Sequence, residues 1–111
     1  MSQNQLSGKA CVPCQGGIPP LKGEQLENLM KEIGHEWHLV NEHHIERTFN
    51  FADFAEALNF TNRIGELAEQ ENHHPDILLA YGKVKITIYT HKIDGLTESD
   101  FILAAKTNML A

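Results

Sequence analysis

The residues of this 111-residue chain best suited to chemistry are three histidines at uneven spacing. His73 and His74 are adjacent and run into Pro75, and His91 follows Thr90 further along. Glu69 stands four residues before the pair, in what reads as the last turn of a helix, and Asp100 closes the run after Gly95-Leu96. An imidazole has an ordinary pKa of about 6.5, so near neutrality it can both give and take a proton. Positioned beside a reacting group, it serves as general acid or general base. It is also the commonest metal ligand. With His35, His38 and the pair His43-His44 the chain holds seven histidines, a number that favours acid–base or metal chemistry without choosing between them.

The metal reading has one further motif. Cys11-Val12-Pro13-Cys14 has the spacing of half a zinc knuckle. A structural zinc ion needs four ligands, and there is no second cysteine pair. His43-His44 could complete such a set. Otherwise the two cysteines are reduced thiols on an N-terminal arm, and no metal is expected.

The elements that must position the histidines can be read from periodicity. Residues 1–22 are polar and rich in Gly and Pro, and they read as an extended or loosely held arm without helix or strand. A single domain over 23–111 follows. Leu26, Leu29, Met30 and Ile33 fall at helical spacing from Gly23, with Gly34 as the stop. Glu36 to Val40 and His44 to Phe49 alternate as a hairpin turned at Asn41-Glu42. Phe54, Ala57, Phe60, Ile64, Leu67 and Ala68 make one apolar stripe over about residues 51–70, with Asn50 placed to cap it. Pro75 pushes His74 out of helical geometry, so the pair sits on a bend leaving this helix.

A second hairpin runs from Ile77 through Gly82 to Ile88. Period-two alternation puts His91 at the strand end, on the face of Lys85, Thr87 and Tyr89 and away from the aliphatic face. The two arms of this hairpin are similar in length, so His91 should return close to His73-His74. Thr97 with Asp100 fits a capping box, and Leu96 with Phe101 a hydrophobic staple, at the start of a last helix. The order is α-β-β-α-β-β-α, an α+β fold in which helices pack on one face of a four-stranded antiparallel sheet.

Composition narrows the function classes. Nine basic residues stand against fifteen acidic ones, for a formal charge of −6, and no basic block appears. Nucleic acid and acidic membranes are therefore disfavoured partners. No apolar run approaches the roughly 20 residues needed to cross a bilayer. The start, Met1-Ser2-Gln3-Asn4-Gln5, lacks the regions of a secretion signal, so the expected location is the cytoplasm.

The stretch from Glu69 to Asp100 resembles the signature of the pterin-4a-carbinolamine dehydratases. It carries an acidic residue, the triplet His73-His74-Pro75, the aromatic Tyr81, the dipeptide Thr90-His91 and the final Asp100. The resemblance extends back through Phe51-Ala52-Asp53-Phe54 and the first hairpin. It implies that His73, His74 and His91 line a pterin pocket as the catalytic set. It also makes Glu69, Pro75, Thr90, Lys92 and Asp100 candidate substrate-binding positions, Asp100 serving mainly as a helix cap that steadies the pocket. The implied reaction is dehydration of a 4a-hydroxytetrahydropterin to the quinonoid dihydropterin, which recycles tetrahydrobiopterin for an aromatic amino-acid hydroxylase. Two imidazoles on opposite sides of the C4a–N5 bond could remove the N5 proton and protonate the departing hydroxyl. No electron is transferred, so the chemistry requires neither cofactor nor metal. The family also forms homodimers and homotetramers, and animal members act as dimerisation partners of a homeodomain transcription factor. A coactivator module is accordingly the alternative expectation.

Overall fold

Helix α1 (Glu24–Ile33) begins after Gly23 and stops at Gly34, as its periodicity requires. Gly34 has φ 98°, a conformation costly for a residue with a Cβ, and its N–H donates to the Met30 carbonyl. The computed structural model that shows this describes residues 6–12 and 18–111. The chain leaves α1 in a turn, with the Trp37 N–H on the Gly34 carbonyl, and only then enters β1 (His38–Val40). That turn is why β1 is shorter than the alternation from Glu36 suggests. Asn41 and Glu42 both have positive φ, the geometry of a tight hairpin turn, which the His43 N–H closes on the Val40 carbonyl before β2 (His44–Asn50) begins.

Helix α2 (Phe54–Glu71) is capped by Asp53, not by Asn50 as its composition suggests. The Asp53 carboxylate accepts from the Glu56 N–H at 2.9 Å, and Glu56 returns an acceptor to the Ala52 N–H. Asn50 is still paired with Lys83 in the sheet, so the helix cannot begin there. Phe54 consequently falls off the buried stripe and is exposed, while Ala57, Phe60, Ile64 and Ala68 are buried.

The second hairpin comprises β3 (Asp76–Ala80) and β4 (Lys83–Ile88), joined at Tyr81-Gly82 with Gly82 at φ 73°. All strand pairs are antiparallel in the order β1-β2-β4-β3. The crossover through α2 thus leaves a gap beside β2 that β4 fills. Ile45, Phe49, Val84, Ile86 and Ile88 form the buried face of the sheet. Helix α3 (Glu98–Leu110) packs against β4, α1 and α2 at once. Its buried run from Ser99 to Ala105 follows from being covered on several sides. Asn108 ties the layers together. It accepts from Trp37 Nε1 (2.8 Å) and Arg47 (2.6 Å) and donates to the Ile33 carbonyl (2.8 Å). The expected α-β-β-α-β-β-α order and four-stranded antiparallel sheet are both present.

The described part of the N-terminal segment is docked, where a loose arm without helix is the expectation from composition. Leu6 and Ser7 are helical, and Leu6 is 2% exposed within the core. The Cys11 N–H donates to Glu71 and the Val12 N–H to Ser99 Oγ, both at 2.9 Å. Pro20 lies so close to Gly95 that a Cβ there would stand 2.6 Å from it, and Leu21 bonds the Leu96 carbonyl. One buried leucine and partners on α2 and α3 outweigh the polar composition. No helix among the described residues is long and apolar enough to cross a membrane.

Candidate active site

The end of α2 creates the first half of the site. Asn72 adopts the left-handed conformation (φ 52°, ψ 40°) and closes the helix, with the His73 N–H on the Ala68 carbonyl. The bend therefore belongs to Asn72, and Pro75 keeps the following backbone extended towards β3. The second half comes from β4. That strand ends at Ile88, so His91 is not a strand residue as alternation suggests. Thr90 and Gly95 bridge to each other and enclose a 3₁₀ turn over His91–Ile93, which Asp94 ends at φ 52°. The expected facing still holds, since the His91 ring lies against Tyr89 with centroids 4.3 Å apart.

These two segments enclose a concavity of about 320 Å³. His73, His74 and His91 all line it, together with Tyr89, Thr90 and Lys92. The volume is at the lower end of the roughly 300–1,000 Å³ of small-molecule sites, suited to a single compact ring system. Of the other residues singled out by sequence, Pro75 shapes the chain without lining the cavity, and Glu69 and Asp100 reach it through histidines.

Each histidine of the pair has a carboxylate of its own. His73 Nε2 lies 2.6 Å from Asp100 Oδ1, and Asp100 is wholly buried at the start of α3. The other oxygen of Asp100 accepts from the Thr97 N–H at 2.8 Å and from Thr90 Oγ1 at 2.9 Å. One carboxylate thus caps the helix and orients two cavity residues, and these donors compensate its burial. His74 Nε2 lies 2.5 Å from Glu69 Oε2 in a more open position. That contact supplies the local partner which a carboxylate in the last turn of α2 calls for. A carboxylate on Nε2 selects the neutral tautomer protonated there, leaving the lone pair on Nδ1. His91 is held differently. Its nearest carboxylate, Asp76, is 3.9 Å away, and its ring rests on Tyr89.

A family model described as pterin 4 alpha carbinolamine dehydratase matches residues 19–110. The chain belongs to this family. A relative from Rubrobacter xylanophilus, named "Putative pterin-4-alpha-carbinolamine dehydratase", is 58% identical over 96% of this chain and 99% of its own. A relative of the same name from Alkaliphilus metalliredigens is 54% identical over 95% of each chain. Among solved structures, a "transcriptional coactivator/pterin dehydratase" from Brucella melitensis superposes with a TM-score of 0.77. It is 32% identical and covers 83% of this chain and 98% of its own. A second, described as a pterin dehydratase-like RuBisCO assembly factor of the alpha-carboxysome, gives 0.61 at 25% identity, over 71% of this chain and 93% of that one. The pterin dehydratase fold thus accommodates neighbours described by different roles.

Outside the cavity, Cys11 is half-buried against α2 and α3. Cys14 lies outside the described residues, and among those described no three His, Cys, Asp or Glu side chains gather in a metal-binding group. Cys11 Sγ donates to the Ser99 carbonyl. Burial first, and then the charge of Glu71, push its thiol up to about 12. Glu71 moves the other way. Its own desolvation is outweighed by the Cys11 N–H and Lys106, so its carboxyl titrates below the ordinary range. The thiolate is the nucleophile in alkylation. In a Cys14→Ser chain, iodoacetamide at pH 8 should therefore label Cys11 far more slowly than an unfolded control, whose thiol has a pKa of about 8.5. Equal rates in the two would contradict this arrangement.

Sequence reasoning missed a lining residue and the side chain that backs it. Tyr89 lines the cavity, and His43, noted only as a potential zinc ligand, packs on Tyr89 at 4.5 Å. Alternation could have marked Tyr89, which shares its face with His91. His43 depends on β2 lying next to β4, a pairing that no local signal encodes.

Proposed function

We propose that this protein is an active pterin-4a-carbinolamine dehydratase, using His73, His74 and His91 as its acid–base set. The observation that carries the reading is the convergence of three imidazoles, two with their own carboxylate, on one cavity of single-ring-system size. The substrate is a 4a-hydroxytetrahydropterin. A base takes the proton from N5, the N5 electron pair forms the N5=C4a double bond, and the C4a–O bond breaks. An acid protonates the departing hydroxyl, so water and the quinonoid dihydropterin leave. Imidazoles suit both transfers at pH 7. Thr90 and Lys92 lie on the cavity wall and would bind polar edges of the pterin, while Glu69 and Asp100 would orient rings. The reaction would take place in the cytoplasm and return tetrahydrobiopterin to use.

The test is a stopped assay of 4a-carbinolamine loss with purified protein, with and without EDTA. Equal acceleration in both is expected. Activity that vanished with chelator and returned with zinc would overturn the metal-free mechanism.

Self-association through the sheet belongs to the same proposal. β1 and β3 are the outer strands, and Leu78 on β3 is 53% exposed, an apolar side chain beside an unpaired edge. A dimeric or tetrameric mass by light scattering is expected, and a monomer at high protein concentration would count against it. A coactivator role is the second reading, prompted by the description of the Brucella neighbour. A cavity variant that lost dehydration but kept partner binding would separate the two roles.

A further inference from the structure

His91 is the least anchored of the three cavity histidines. It lacks the close carboxylate that His73 and His74 each have, and its side chain is 57% exposed. What holds it is an assembly that starts at Tyr89 on the cavity wall and extends outside it. Tyr89 contacts the His91 ring at 4.3 Å and the His43 ring at 4.5 Å, linking the two. His43 Nε2 lies 2.6 Å from Asp94 Oδ1, and its Nδ1 lies 2.9 Å from Nδ1 of His44. Asp94 is the residue that ends the 3₁₀ turn carrying His91, its N–H donating to the His91 carbonyl. The His43–Asp94 pair therefore grips His91 twice, through the ring of Tyr89 and through the backbone of the turn.

We propose that His43, Tyr89 and Asp94 are positioning residues for His91, forming a clasp between the β1–β2 hairpin and the 3₁₀ turn. The role in turnover rests on the dehydratase reading, but the clasp itself can be tested separately. Asp94 is 85% exposed and His43 32%, and pairs open to solvent on one side contribute modestly, so loss of this pair should change turnover by about fivefold at most. Loss of an aromatic contact should cost up to about tenfold. A less firmly placed acid or base acts mainly on kcat, with KM little changed.

The experiment compares wild type with Asp94→Ala, His43→Ala, Tyr89→Leu and Tyr89→Phe. Each is followed by the carbinolamine assay and by NMR of the histidine ring protons. A ring seated on Tyr89 has its proton signals displaced by the aromatic ring current, which a general loss of folded protein would not reproduce selectively. Tyr89→Leu should abolish the displacement at His91 and lower kcat. Asp94→Ala and His43→Ala should reduce both, with the His73 signals unmoved. Tyr89→Phe keeps the ring and should restore both readouts. Unchanged His91 signals in Asp94→Ala and His43→Ala would overturn the clasp. Altered signals with wild-type kcat would overturn its role in turnover. A wild-type chain inactive towards the carbinolamine would defeat the dehydratase reading, while the ring-proton comparison still decides the clasp.

Discussion

Alanine at His74 or at His91 is expected to lower carbinolamine turnover by roughly a hundredfold or more, the usual scale for losing a positioned acid or base. The fold should tolerate either change. Both side chains are more than half exposed, so truncation opens no core cavity. The interactions lost are an exposed pair with Glu69, worth about 1 kcal/mol or less, and a surface ring contact with Tyr89, worth about 1.5 kcal/mol at most. Melting temperature should therefore shift by only a few degrees while turnover collapses. Steady-state assay and thermal unfolding of the same preparations check this together. A variant with wild-type turnover would remove that histidine from the catalytic set.

His73 needs another approach, because His73→Ala would also deprive the buried Asp100 of a donor. Asp100→Asn isolates the proton instead. The Oδ2 position accepts from the Thr97 N–H, a backbone donor that cannot reverse its role, and from Thr90 Oγ1. The amide oxygen of asparagine must take that place, which turns its NH₂ towards His73 Nε2, where the carboxylate now accepts. A donor there selects the opposite imidazole tautomer, with the proton on Nδ1 and no lone pair for the substrate. The helix cap survives, so stability should fall by only about 1 kcal/mol. Turnover should fall at least tenfold and towards a hundredfold, on the scale of acid–base catalysis. Asp100→Ala should instead lose both the cap and activity. Wild-type turnover in Asp100→Asn would show that the tautomer of His73 does not matter to the reaction.

The sequence by itself determined whatever depends on neighbours along the chain. Helix periods, the glycine stop at Gly34, the turn at Asn41-Glu42 and the Thr97–Asp100 box involve residues at most a few positions apart, and their chemistry is local. The hairpin arms around Gly82 likewise bring His91 back to the pair, and the three histidines do meet. Local signals misled where two elements competed for the same residues. Asn50 could cap a helix but is held in the sheet by Lys83, so Asp53 caps α2 and Phe54 faces solvent. Composition made the N-terminal segment look loose, because one leucine carries little weight in an average yet fills a place in the core.

Only the tertiary structure decided the strand order, and with it the surroundings of the histidines. Two hairpins can be joined in several ways, since backbone hydrogen bonds carry no address. It is the packing of α2 and α3 over the aliphatic face that seats β4 beside β2. That placement brings His43 to Tyr89, and the start of α3 brings Asp100 to His73 across 27 positions of sequence. A capping aspartate looks the same in sequence whether or not a histidine lies against its second oxygen. The identity of the candidate acid–base residues is thus a local property, whereas their orientation is set by partners that the folded chain alone brings together.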